Sequence, residues 1–194
     1  MAYNSTSWTT DGSTTSVSVG NYSLYAHFGI GNTESSTFVA GYHQPLTFQA
    51  ANFGASGTPP AFGNGADPAT SFTTAESSEQ RASDLVPCLW YLHDNIVIDS
   101  IVSLEGADTA TGDTTRFHLM SYDIASGSTS ALASGTLLAY SSDVTNAGSE
   151  QAYKSSWTIS SSNVSSGKVI LAFLESDSIN SDYSVSVSIK YHLI

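Results

Sequence analysis

One cysteine, two methionines and five basic side chains are all that 194 residues supply of those types. A lone cysteine, Cys88, excludes an intrachain disulfide. Its apolar neighbourhood in "VPCLWYLHD" reads as a buried, inert thiol rather than a nucleophile. The basic residues Arg81, Arg116, Lys154, Lys168 and Lys190 are scattered, and against 17 acidic residues they leave a net charge of −12. Phosphate backbones are bound by clustered Lys and Arg, so nucleic acid is excluded as a partner. Long apolar runs are missing too. No segment approaches the ~20 residues of a membrane-spanning helix, and the polar opening "MAYNSTSWTTDGST" has neither the basic nor the apolar part of a signal peptide. The expectation is synthesis in a host cytoplasm, with no membrane partner.

What replaces charge is Ser, Thr, Asn and Gly, residues of strands and turns rather than helices. With 40% hydrophobic and 11% aromatic residues the chain has material for a sizeable core. From Asp84 onward apolar residues recur with period two between Gly/Asn/Asp/Ser clusters. In the last segment Tyr183, Val185, Val187, Ile189, Tyr191 and Leu193 alternate with Ser184, Ser186, Ser188, Lys190 and His192, as in a sheet with one face on a core and one in water. "KVILAFLES" is apolar on both faces and reads as a covered central strand. The alternation of "NIVIDSIVSLE" slips at Asp99-Ser100, which predicts a bulge. No helical period persuades. The fold class is all-β, an antiparallel β-sandwich, jelly-roll-like, over 84–194.

Residues 1–83 differ. Strands are predicted in "TSVSVGNYSLYAHFGI", with Leu24, Ala26 and Phe28 on one side, and in "STFVAGYHQPLTFQ". About thirty Gly/Pro/Ser-rich residues follow, a length that is uncommon for a loop inside a compact domain. Phe53, Phe62 and Phe72 are its natural anchors, as an extended arm across a neighbouring subunit or a flap across the chain's own sandwich. The neighbour is the favoured reading.

No phosphate loop, dinucleotide fingerprint or nucleophile elbow occurs. His27, His43, His93, His118 and His192 lie far apart, so the spacing offers no metal pair, and no metal, cofactor or catalytic residue is expected. Acidic residues gather in two loops, Glu175/Asp177/Asp182 and Glu105/Asp108/Asp113. Neither spacing is that of an EF-hand, and solvated carboxylates are the expectation over calcium ligands. Trp90, Tyr91, Tyr153 and Trp157 could line a sugar-binding face, although a strand tryptophan more often belongs to a core or interface. In "TRFHLMSYD" alternation puts Phe117 and Leu119 on one face and Arg116, His118, Met120 and Tyr122 on the other. The second set is too apolar for open surface and too polar for a sandwich core. Arg, Met and Tyr are enriched in protein interfaces, so this face is expected to be covered by a subunit or by the arm.

The stretches "TTRFHLMSYDI", "EQAYKSSWTISSSNVSSGKVILAFLESDS" and "DYSVSVSIKYHL" resemble β-rich virion structural proteins of tailed, often marine, bacteriophages. The resemblance covers about residues 84–194 and no part of 1–83. It implies a non-enzymatic component on the outer surface of a virion, a head-decoration or fibre-like protein. Such a protein would act as a homotrimer and attach to other virion proteins such as the major capsid protein. The alternative is a tail-fibre or appendage module that binds a host surface glycan. A glycan-degrading enzyme is a third class, and it would need two carboxylates facing each other across a cleft.

Overall fold

The computed structural model describes residues 8–10, 13–15, 22–33, 40–49, 62–73, 85–107, 112–124, 131–147, 151–177 and 183–194. The principal strands are numbered here β1 (Leu24–Thr33), β2 (residues 44–48, in two short pieces), β3 (Ile96–Ala107), β4 (Thr114–Ile124), β5 (Ala131–Ser141), β6 (Gln151–Ile159), β7 (Lys168–Ser176) and β8 (Tyr183–Leu193). All their pairings are antiparallel, and the hydrogen-bonded order is β2-β7-β4-β5-β6-β3-β8-β1-β2. The segment 44–48 appears at both ends of that order. Gln44 and Pro45 pair with Leu174 and Phe173 of β7, while Thr47 and Phe48 pair with Gly29 and Phe28 of β1. One five-residue stretch therefore all but closes the sheet into a barrel. The β5–β6 junction is the other narrow seam, held by the pairs Ala139–Ile159, Tyr140–Thr158 and Ser141–Trp157.

The alternation of β8 has the predicted outcome as far as Ile189; beyond it Tyr191 is half-buried and Leu193 is exposed. Tyr183, Val185, Val187 and Ile189 are buried and Ser184 and Ser186 are exposed. β7 is buried on both faces, as its double apolar pattern requires. The bulge expected at Asp99 is present: Lys190 faces Ser100 and Tyr191 faces Ile98, so Asp99 is the extra residue. β1 and β2, from before residue 84, complete the barrel by occupying the free edges of β8 and β7.

Two apolar cores result. The larger lies inside the barrel and includes Phe28, Leu46, Trp90, Ile101, Phe117, Leu119 and Val187. The smaller lies on the outer face of β4, β5 and β7, where Met120, Tyr122, Leu132, Val169, Leu171 and Phe173 meet Phe62, Leu85 and Cys88. Cys88 closes a one-turn 3-10 helix, Val86–Cys88, and is buried, as its apolar setting predicted. Residues 62–73 form the rest of this cover: Phe62 packs on Phe173 with ring centroids 5.0 Å apart, and the Tyr122 hydroxyl donates to the Ala69 carbonyl at 2.9 Å.

Candidate functional site

The outer face of β4 and β7 is where the expected interface residues Met120 and Tyr122 lie. Met120 and Tyr122 are sealed beneath the cover together with Phe62, all at 1% exposure or less. Burial pushes the Tyr122 phenol well above its usual range. The favoured neighbouring subunit gives way here to an intramolecular cover: the chain's own residues 62–70 and 85–88 reach this face, so these side chains have no surface to offer a partner. Arg116 lies at the rim and donates from Nε to Asp143 Oδ1 at 2.5 Å. Asp123, at the far end of the same strand, pairs with Lys168 at 2.6 Å. Phe53 lies outside the described residues. Phe72 is placed only through its backbone, which pairs with Leu132.

His118 belongs to a different grouping that the sequence did not suggest. His43, in the lead-in to β2, His118 on β4 and Glu175 on β7 bring one ligating atom each within 4.8 Å of one another. The register explains the meeting. β7 pairs with β4 so that Glu175 faces Arg116 and Phe173 faces His118, and β2 pairs with β7 so that Gln44 faces Leu174. Three segments remote in sequence thus converge at one end of the covered face. The imidazoles are buried, at 0% and 1% exposure, and meet edge-to-face with centroids 4.7 Å apart. His43 Nδ1 lies 3.2 Å from the Gly63 carbonyl, and a hydrogen bond to the Ala66 backbone holds His118. Asp67 Oδ1 is 3.8 Å from His118 Nε2.

The remaining nitrogens are left over. Among the described residues, His43 Nε2 and His118 Nδ1 are buried without a hydrogen-bond partner. His43 Nε2 does approach Glu175 Oε2 at 3.2 Å, but without hydrogen-bond geometry. Burial holds His43 below the ordinary imidazole range, against the opposing pull of Glu175. Burial, helped by His43 and Arg116, pushes His118 down to about 3. Neutral imidazoles with free lone pairs beside a carboxylate can accept a cation.

The acidic loops do not act as units. Glu175 turns to His43, Asp177 Oδ1 accepts the Thr114 amide at 2.7 Å, and Asp108 and Asp182 lie outside the described residues. Glu105 points inward instead, 3% exposed, with both carboxyl oxygens 2.9 Å from Thr115 Oγ1. Burial pushes its pKa up to about 7, with the Thr115 hydrogen bond opposing. The folded state therefore holds this proton more tightly than the unfolded chain. The stabilisation is complete below about 4.5 and is lost as the pH rises through about 7. Glu105→Gln keeps an acceptor for Thr115 and removes the charge. It is expected to raise stability at pH 8.5 by on the order of 1–3 kcal/mol and to have no stabilising effect at pH 5, as read from urea midpoints at the two pH values.

The aromatic candidates divide. Trp90 is wedged among Phe28, Phe48 and Tyr191 in the barrel core. Trp157 stacks on Phe117 and donates to Ser103 Oγ at 3.0 Å, and the Tyr153 hydroxyl bonds Asn146 and Gln151. Tyr91 is exposed and packs against His93. No protein-family model matches the chain, and no curated protein matches it in sequence.

Proposed function

We propose that this chain is a non-enzymatic structural protein on the outside of a tailed-bacteriophage virion, a head-decoration or fibre-like subunit built on a jelly roll. The observation that carries the reading is the strand order. The first, eighth, third and sixth strands lie side by side, as do the second, seventh, fourth and fifth. That order is the one expected of a jelly-roll winding and supports this finer reading of the nearly closed antiparallel barrel; jelly rolls are used by viral shell and lectin domains. Fold alone does not set function. Further support comes from the sparsely charged, Ser/Thr-rich composition and from the resemblance of the strands after residue 84 to virion proteins.

One sheet has its outer face covered by the chain itself. The outer face of β1, β8, β3 and β6 carries exposed Ser184 and Ser186 with Tyr25 and Leu104, and this is the face we assign to contact between copies. Leu104 sits mid-sheet, opposite Lys154 on one side and Ser186 on the other. Sedimentation is expected to give a dilution-resistant trimer near 61 kDa, three times 20.3 kDa. Leu104→Glu, placing like charges together at the contact, is expected to return it to 20.3 kDa. A wild-type monomer at micromolar concentration counts against the reading, and density for the chain on a reconstructed particle would locate it.

The glycan-binding alternative loses both barrel tryptophans to the core. It rests on Tyr91 and His93, whose rings lie 5.0 Å apart beside Asp94, and a glycan array separates it from the first reading.

A further inference from the structure

We propose that His43, His118 and Glu175 bind one divalent transition-metal ion of the zinc class, through one imidazole nitrogen from each histidine and a Glu175 carboxylate oxygen. The inference stands on its own whatever the protein's place on a particle.

The donor set is the first argument. Two imidazoles and a carboxylate suit zinc and its borderline neighbours, and three protein ligands leave a fourth position open for water. Hard calcium sites are built from oxygen alone. Spacing is the second. Around a tetrahedral ion with ~2.0–2.1 Å bonds, ligand atoms sit about 3.3 Å apart. The His43–Glu175 separation is already 3.2 Å, and the whole set lies within 4.8 Å, so side-chain rotations of about an ångström close it.

The buried nitrogens are the third argument and the decisive one. An unpaired polar atom removed from water costs about 1–3 kcal/mol, and this cluster holds one on each histidine. On His43 the nitrogen away from the cluster already faces a backbone carbonyl, Gly63, and the nitrogen toward Glu175 is the free one. His118 likewise keeps one nitrogen free, Nδ1, while its Nε2 lies 3.8 Å from Asp67 and the ring is held by the Ala66 backbone. Metal-binding histidines are oriented in this way, with the second nitrogen donating to a carbonyl or carboxylate. Charge is the fourth. Glu175, Asp67 and Asp143 surround the imidazoles against Arg116 alone, so three negative charges meet one positive and two remain. A dication balances them.

The ion would tie the lead-in of β2 to β4 and β7 at the end of the covered face. Gly63, Ala66 and Asp67 of the cover supply the outer contacts, so binding and seating of the cover are coupled. The test uses the full chain, stripped with a chelator and titrated with cobalt(II), then zinc(II). One equivalent of cobalt per chain is expected, with the visible bands of a four-coordinate site, and zinc should displace it. Zinc at a hundredfold excess over its Kd should raise the unfolding midpoint by roughly 5–10 °C. Glu175→Gln, a near-isosteric change at a partly exposed position, should weaken binding at least tenfold, and His43→Gln should remove the cobalt bands. Uptake of less than about a tenth of an equivalent by the wild-type chain, or a Glu175→Gln chain that binds as tightly as wild type, overturns the assignment.

Discussion

Gly135→Ala is expected to lift the cover from the outer face of the barrel and to cost about 2–4 kcal/mol. A Cβ at this position of β5 would lie 2.6 Å from Tyr122 Cε1, 2.7 Å from the Thr70 Cα and 2.9 Å from the Thr70 carbonyl oxygen. Two of those three atoms are backbone, so no side-chain rotation relieves the clash. The same approach carries a hydrogen bond, since the Gly135 amide donates to the Thr70 carbonyl at 2.8 Å. Moving the cover away breaks it and loosens the neighbouring Tyr122–Ala69 bond. A domain of this size is stable by only about 5–15 kcal/mol, so the loss is a large share of the total. The measurement is hydrogen exchange with a urea midpoint. Amides of 62–73 should lose protection while those of β8 and β3 keep it, and the protein should bind hydrophobic dye. Unchanged protection of 62–73 would show that the cover does not depend on this close approach.

Phe117→Ala should be as damaging by another route, at about 3–5 kcal/mol. Phe117 is fully buried inside the barrel and stacks on Trp157, with centroids 5.8 Å apart and planes 26° from parallel. Removing the ring leaves a cavity at the β5–β6 seam, where only three residue pairs join the strands and the close-packed interior has little freedom to collapse. Trp157 should report the change through red-shifted emission as water reaches the indole. In contrast to Gly135→Ala, protection should fall across the barrel as a whole. A loss below about 1 kcal/mol would mean that the seam relaxes to fill the space.

Much of the barrel was legible in the sequence, because a strand half in water must alternate. The alternation of β8 as far as Ile189, the double burial of β7 and the slip at Asp99 follow from side-chain order and are present. The two-faced strand was also legible: Phe117 and Leu119 lie in one core and Met120 and Tyr122 in another. What covers the second face was not. Phe62 was identified as an anchor, but an aromatic in a Gly/Pro-rich stretch shows that something will be buried without showing against which copy of the chain. The histidine cluster was missed for a related reason. Its members are separated by 75 residues between His43 and His118, and by 57 between His118 and Glu175. Spacing rules find ligands only when they share an element. A fainter signal existed, in that His118 occupies a strand face otherwise built of covered residues, where a histidine needs partners for both nitrogens.

The sequence by itself determined the class of the fold and most of the long strands after residue 96 with the faces they bury. These follow from local chemistry: period-two hydrophobicity and turn residues. The stretch before them reads as a strand, but it holds the 3-10 turn Val86–Cys88 and only the short strand Trp90–Tyr91. Tertiary structure alone decided that residues 44–48 bridge β7 and β1, that the chain's own cover occupies the outer face, and that His43, His118 and Glu175 meet. Each of those depends on register between strands far apart in the chain. In an antiparallel sheet, register is set by the whole hydrogen-bonded ladder and by the packing of both faces, and no single stretch of sequence contains it.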